Sequence, residues 1–82
     1  MSDLLQALDW VKDEHTFVAF LTALSIDRRA DRESWQWDTI EGFLEGATAW
    51  AEDSKNGLGA YSIPSNPWKR AADILYSGKI YE

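Results

Sequence analysis

The sequence contains no cysteine, so neither a disulfide nor a thiolate-ligated zinc ion can support its core. It has no apolar run approaching the roughly 20 residues that cross a bilayer. Its first ten residues, MSDLLQALDW, lack the basic start and the continuous apolar stretch of a secretory signal peptide. We therefore expect a soluble protein of the cytoplasm that does not associate with membranes.

Basic residues are scarce. The chain carries 8 Lys and Arg against 14 Asp and Glu, a net charge of −6. Phosphate contacts need clustered Lys and Arg, and the arginines of DRRADRE are interleaved with acids, which indicates local charge pairing rather than nucleic-acid binding. Residues 38–54 hold five acids and no base. A surface of this sign favours a basic partner protein, although a mildly acidic charge also keeps many small proteins soluble.

The apolar content, 45% of the residues, is high enough for a packed core. A chain of 82 residues has room for one core, so we expect one domain over residues 1–82. The apolar residues recur at spacings of three and four, without strand-like alternation. The sequence therefore predicts an all-α fold, a compact single domain of four helices with a structured loop before the last helix.

The first two helices are predicted from caps and apolar stripes. Ser2 is a candidate N-cap of the first helix, and Asp13 is the expected N-cap of the second, with Thr16 at the third helical position. The second helix is expected to end at about Arg29 or Ala30. The stripes consist of Leu4, Leu5, Leu8 and Val11 in the first helix and Phe17, Phe20, Leu21 and Leu24 in the second.

The third helix is predicted from a capping-box pattern, in which Asp38 is followed three residues later by Glu41. Its apolar stripe predicts a buried face, and a separate acidic face is expected to lie in solvent. The stripe consists of Ile40, Phe43, Leu44, Ala47, Trp50 and Ala51.

The last helix follows a loop that is rich in turn signals, SKNGLGAYSIPSN. Tyr61 and Ile63 are expected to anchor this loop to the body of the protein. Asn66 followed by Pro67 predicts the start of the helix. Gly78 is expected to end the helix as a left-handed cap.

Residues that carry catalysis are few. His15 is the single histidine, and the sequence has neither a glycine-rich phosphate loop nor a nucleophile elbow. Glu41 and Glu45 lie one turn apart, but the Glu-x-x-His pairs of dinuclear carboxylate bundles are missing. We therefore predict a protein that is not an enzyme, with no catalytic residue, no metal site and no cofactor.

The candidate binding residues are acids of the third helix and aromatic residues outside the apolar stripes. Tryptophan is enriched in interface hot spots, and Trp35 and Trp37 would point to opposite sides of an extended segment. Small cores also pin loops with tryptophan, so the assignment of these two residues to core or interface stays open. The predicted partner-binding residues are Glu41, Glu45, Glu52, Asp53, Trp35, Trp37 and Tyr61.

A third face of the same helix carries small residues. Glycine within a helix costs about 1 kcal/mol relative to alanine, so two glycines one turn apart indicate close approach of another backbone. That backbone belongs either to another helix of this chain or, in a homodimer, to a second subunit. The face consists of Gly42, Gly46 and Ala49.

Two stretches of the chain, WQWDTIEGFLEGATAWAEDS and NPWKRAADILYSGKIYE, resemble a family of small bacterial proteins of unknown function. The family pattern runs W-x-N-x-TIE-x-FLE, AWAED, P-x-W and ILY-x-GK-x-YE. Trp37 departs from the small polar residue that is usual there, and the link between helices two and three is shorter than the typical one. The resemblance concerns the fold and implies no catalytic residue. The matching residues are Trp35, Thr39, Ile40, Glu41, Phe43, Leu44, Glu45, Trp50, Glu52, Asp53, Trp68, Ile74, Leu75, Tyr76, Gly78, Lys79, Tyr81 and Glu82.

From these features we predict a small acidic helical protein-binding module of the immunity or antitoxin type, which inhibits a basic partner protein. Small acidic four-helix immunity proteins that neutralise colicin nucleases have similar length and charge, although no motif aligns with theirs. The alternative is a self-associating structural or adaptor subunit without catalytic activity.

Overall fold

Four α-helices make up most of the protein. The computed structural model describes residues 3–82, so the predicted N-cap Ser2 lies outside the described residues. No strand forms within that range, although the loop before the last helix contains two isolated β-bridges. The predicted all-α fold is therefore confirmed. The helices are α1 (Asp3–Asp9), α2 (Glu14–Ala30), α3 (Ile40–Asp53) and α4 (Pro67–Ile80), with a 3₁₀ turn (Arg32–Ser34) between α2 and α3.

Two of the predicted helix starts are confirmed. The Asp13 carboxylate accepts a hydrogen bond from the Thr16 N–H at 2.9 Å, and the Thr16 hydroxyl oxygen accepts one from the Asp13 N–H at 3.1 Å. The hydrogen bond from the Thr16 backbone lowers the pKa of the Asp13 carboxyl. At α4 the Asn66 side chain accepts from the Trp68 N–H at 2.9 Å, and Pro67 opens the helix.

The start of α3 differs from the prediction. Thr39, rather than Asp38, is the N-cap, and its hydroxyl accepts a hydrogen bond from the Gly42 N–H at 3.0 Å. The Asp38 carbonyl instead accepts a hydrogen bond from the Arg28 guanidinium at 3.0 Å, which holds the chain just ahead of the helix. The helix therefore begins one residue later than the capping-box pattern predicted.

The helices pack as two pairs around a shared core. α1 packs mainly on α2, and α3 packs mainly on α4, whereas α2 and α3 hardly contact each other. Phe20 is fully buried at the centre. Because α2 and α3 stand apart, an opening remains between them at the surface. The core cluster consists of Leu4, Leu8, Val11, Phe20, Leu24, Phe43 and Ala72.

The buried face of α3 is rotated relative to the predicted stripe. The assignment of Ile40 and Leu44 to the buried stripe is wrong, since Ile40 is 64% exposed and Leu44 is 50% exposed. A Cβ atom on Gly46 would lie 2.9 Å from the backbone oxygen of Tyr81, so the absence of a side chain permits this close approach. The buried residues of α3 are Gly42, Phe43, Gly46 and Ala47.

The C-terminal end of α4 also differs from the prediction. Gly78 lies inside the helix, which continues to Ile80. Among the described glycines, only Gly57 and Gly59, both in the loop before α4, have positive φ, so Gly78 is not a left-handed cap. A Cβ atom on Gly78 would lie 2.9 Å from the backbone oxygen of Phe43. This glycine therefore serves the close packing of α4 on α3.

Candidate functional site

Trp35 is held in place by a charged pair that joins α2 to α4. Its indole N–H donates a hydrogen bond to Asp27 Oδ2 at 2.9 Å, and Lys79 Nζ lies 2.8 Å from the same oxygen. The indole also packs against Phe43, with ring centroids 5.5 Å apart, and the Arg28 guanidinium stacks over it at 5.3 Å from the ring centroid. Trp35 is therefore a half-buried residue whose orientation is set from three sides.

Trp37 is also held by hydrogen bonds within the chain. Its indole N–H donates to the backbone oxygen of Tyr81 at 2.9 Å, and its backbone oxygen accepts from Arg28 at 2.9 Å. The indole lies over Gly42 and Gly46, where an added Cβ would come within 2.9 and 2.8 Å of the ring. Both tryptophans are thus half-buried and packed on their own chain, with part of each side chain exposed.

A cleft of about 310 Å³ lies between α2 and α3, beside these two tryptophans. Its walls are mostly apolar, with polar atoms contributed by Ser25, Thr39 and Arg28. Leu44 continues the exposed apolar edge of α3 one turn beyond Ile40. The residues ahead of α3, which form one end of the cleft, are tied to both α2 and α4 by hydrogen bonds. The lining residues are Leu21, Leu24, Ser25, Arg28, Trp35, Trp37, Thr39, Ile40 and Phe43.

The four predicted acids of α3 are all exposed, but they have different surroundings. Glu52 forms an ion pair with Lys55 at 2.9 Å, and both side chains are exposed. Asp53 accepts a hydrogen bond from the hydroxyl of Tyr81. Glu41 and Glu45 have no ion-pair partner within residues 3–82. Of these four acids, the two without an ion-pair partner in the described range are therefore in the N-terminal half of α3, and each follows a residue of its exposed apolar edge.

Tyr61 lies elsewhere, in a polar cluster that joins the loop before α4 to α3 and α4. Its hydroxyl donates to Asp73 Oδ2 at 2.8 Å, and its ring meets that of Trp50 at 4.9 Å between centroids. Arg70 donates to Ser54 Oγ at 2.9 Å and to a backbone carbonyl at the end of α3. Burial raises the pKa of the Tyr61 hydroxyl. Tyr61 is thus the loop anchor that the sequence predicted, and it does not line the cleft.

Ile63 was predicted as the second anchor of this loop. That prediction is wrong, because Ile63 is 41% exposed. The glycine face makes a close contact within the chain, since Gly42 and Gly46 are buried and face Trp37. Ala49, the third residue of that face, is exposed. A second subunit therefore has no access to the two glycines while Trp37 keeps this position.

The charged residues that shape the cleft have partners that the sequence pattern did not predict. DRRADRE indicates local charge pairing, yet Asp27 binds Lys79 of α4, and Arg28 binds backbone carbonyls ahead of α3. Arg70 and Asp73 likewise hold the loop. Long-range pairs of this kind leave no periodic signal in one sequence, because the partners meet only in the folded chain.

Groups suited to metal or proton chemistry do not gather at the cleft. Within residues 3–82, no cluster of three or more His, Asp or Glu side chains has the geometry of a metal site. His15 is exposed in the first turn of α2. None of the helices over the same range is long and apolar enough to cross a membrane.

The comparisons with known proteins place the chain by family alone. No curated protein and no solved structure matches it. A model of a family of unknown function, DUF7660, matches residues 12–82, a range that takes in α2 as well as the two stretches that carry the resemblance. The chain therefore belongs to this family of unknown function, DUF7660.

Proposed function

We propose that this protein is a non-catalytic protein-binding domain of the cytoplasm, which recognises a basic partner protein through the acidic surface of α3. We define that surface as Glu41, Glu45, Glu52 and Asp53. The proposal includes inhibition of the partner, in the manner of an immunity protein or antitoxin. The observation that carries it is the pair Glu41 and Glu45, which are exposed, have no ion-pair partner within residues 3–82 and lie beside the apolar cleft.

Electrostatics supports a partner of opposite charge. Residues 38–54 contain no base, and the whole chain carries a net charge of −6. A field of one sign raises the rate of encounter with a basic protein and fixes its orientation, while an adjacent apolar cleft supplies contact area. Glu52 and Asp53 already have local partners, so we expect them to contribute less than Glu41 and Glu45.

Self-association is the weaker alternative. A two-fold interface brings the same patch of both subunits together, so an interface on this surface would place Glu41 and Glu45 against the same acids of the other subunit. Such like-charge contacts disfavour association. The two glycines of the small-residue face, which the sequence left open to another helix of this chain or to a second subunit, are covered by Trp37.

The first test is bacterial growth during expression of the product of each neighbouring gene, alone and together with this protein. We expect one neighbour to be toxic alone and harmless when this protein is present. The double variant Glu41→Lys/Glu45→Lys should lose this protection. The matched control Asp9→Lys/Glu14→Lys makes the same change in net charge at exposed acids outside α3 and should keep it.

Binding of the purified pair then separates electrostatic recognition from other modes. Raising the salt concentration from about 0.1 M to about 1 M shortens the Debye length from roughly 10 Å to roughly 3 Å, and the Kd should rise with it. The inhibitor proposal would be overturned if the products of the neighbouring genes are harmless, or if they stay toxic when this protein is expressed with them. A Kd that changes neither with the salt concentration nor with the charge reversals would overturn the proposal that the acidic surface binds the partner.

A further inference from the structure

The volume of the cleft between α2 and α3 suits two apolar side chains. An engineered apolar cavity of about 150 Å³ holds one benzene molecule, and this cleft measures about 310 Å³. Two side chains of the size of Leu or Phe therefore fit side by side. On a partner helix, such a pair comes from positions one turn apart, i and i+3 or i+4.

The indole donors of the cleft and two N–H groups of Arg28 are already in use, which leaves the hydroxyls of Ser25 and Thr39 and the other N–H groups of Arg28 for an occupant. The indole N–H groups of Trp35 and Trp37 donate within the chain, as does the Arg28 guanidinium. A polyproline segment has no internal hydrogen bonds and depends on donors from its receptor or from water, whereas a helix pairs its own backbone groups. Residues 3–82 also offer no strand edge for β-augmentation. The cleft therefore favours a helix, which needs no backbone donor from its receptor.

Charges of both signs lie at the cleft: the Arg28 guanidinium in its lining donates to the backbone oxygens of Trp37 and Asp38, whereas the carboxylates beside the exposed edge of α3 are free to meet an occupant. Ile40 and Leu44 form the exposed apolar edge of α3, and Glu41 and Glu45 each follow by one residue, about 100° further round the helix. A partner helix that packs on this edge brings the residues flanking its own apolar stripe close to these carboxylates. Lys and Arg at those flanking positions complement them, whereas acids are repelled.

We propose that the cleft between α2 and α3 docks a basic amphipathic helix of the partner protein, with two apolar anchors in the cleft and Lys or Arg beside Glu41 and Glu45. The proposal rests on the proposed function, and it names the element of the partner that is recognised. The cleft is preorganised for this, because Trp35 and Trp37 are held by hydrogen bonds and need no rearrangement.

The test uses a synthetic helical peptide with Leu at i, i+4 and i+7 and Lys at the flanking positions. One control peptide has the same composition in an order without helical periodicity, and a second has Glu in place of every Lys. Binding is followed from the indole N–H signals in nitrogen-15 NMR spectra. We expect saturable shifts at Trp35 and Trp37, which line the cleft, and none at Trp10, which is 70% exposed elsewhere.

A pair of matched variants tests the location. Ile40→Ser removes an exposed apolar residue of the cleft, and we expect about tenfold weaker binding from the lost apolar contact. Ile26→Ser makes the same change at a residue that is 56% exposed on α2 and does not line the cleft, and it should leave the Kd unchanged. Both residues are exposed, so both variants should fold.

Several results would overturn the proposal. They are the absence of saturable shifts at Trp35 and Trp37, equal binding of either control peptide, and an unchanged Kd for Ile40→Ser. If the indole N–H signals of these two residues shift with rising protein concentration in the absence of peptide, the occupant is a second copy of this chain. If the growth test succeeds and the peptide fails, the helix-docking proposal falls alone. If the peptide binds and no neighbour is inhibited, the inhibitor proposal falls alone.

Discussion

Replacing Gly46 with alanine gives a direct test of how closely α3, Trp37 and the C-terminal segment pack together. An added Cβ would lie 2.8 Å from Trp37 Nε1 and 2.9 Å from the backbone oxygen of Tyr81. These two atoms are hydrogen-bonded to each other at 2.9 Å, so the methyl group would push on both ends of the bond. The oxygen belongs to the backbone and has little freedom to move away.

The two effects of this substitution oppose each other. Alanine gains about 1 kcal/mol over glycine within a helix. Overpacking costs about 1–3 kcal/mol, and loss of the indole hydrogen bond costs about 0.5–1.5 kcal/mol. The cost of overpacking and of the lost hydrogen bond exceeds the gain in helix propensity, so we expect Gly46→Ala to lower the free energy of unfolding by about 2 kcal/mol. In a domain of this size that corresponds to a fall in Tm of about 8–16 °C.

Urea and thermal unfolding, followed by tryptophan fluorescence, measure this loss. The control is Ala49→Gly, the reverse change at an exposed position of the same helix, which should cost about 1 kcal/mol from helix propensity alone. If Gly46→Ala is as stable as the wild-type protein or more stable, the close packing of Trp37 and Tyr81 on α3 is refuted.

Four further substitutions give predictions in other parts of the protein. Phe20→Ala should destabilise the fold by about 3–5 kcal/mol in urea unfolding, because Phe20 is fully buried; a loss of under about 1 kcal/mol would contradict its central position. Asp27→Ala leaves Lys79 without its carboxylate and should cost about 3–5 kcal/mol, with a change in tryptophan fluorescence as the second readout. The pKa of Asp13 is lowered in the fold, so its contribution is complete above the unfolded value of about 3.9 and is lost as the pH falls through the lower folded value. Asp13→Ala should therefore flatten the acid side of the stability–pH curve. The pKa of Tyr61 is raised, so its contribution is complete below about 10 and is lost as the pH rises through the higher folded value; Tyr61→Phe should flatten the alkaline side.

Local signals in the sequence were reliable where the physics is local. The capping box of Asp13 and Thr16 depends on groups three residues apart, and the start of α4 depends on Asn66 and Pro67, so each can be read without knowledge of the rest of the fold. The apolar periodicity likewise predicts how many helices form. The loop anchor Tyr61 was predictable because a lone aromatic residue in a polar stretch needs a place to pack.

The errors arose where a neighbouring element decides the outcome. Periodicity places Ile40 and Leu44 in the apolar stripe of α3, but it contains no information about which side of the helix α4 approaches. Glycine is favoured both at left-handed caps and where two backbones pack closely. The sequence alone therefore predicts a cap at Gly78, although this residue lies inside α4 against Phe43.

The sequence by itself determined the all-α class, the caps at Asp13 and Asn66, and the excess of acid on α3. These follow from composition and from interactions within a few residues. Only the tertiary structure decided that α2 and α3 stand apart, that Asp27 pairs with Lys79, and that two half-buried tryptophans line the cleft. Each of these depends on contacts between residues far apart in the chain, which exist only once the helices have packed.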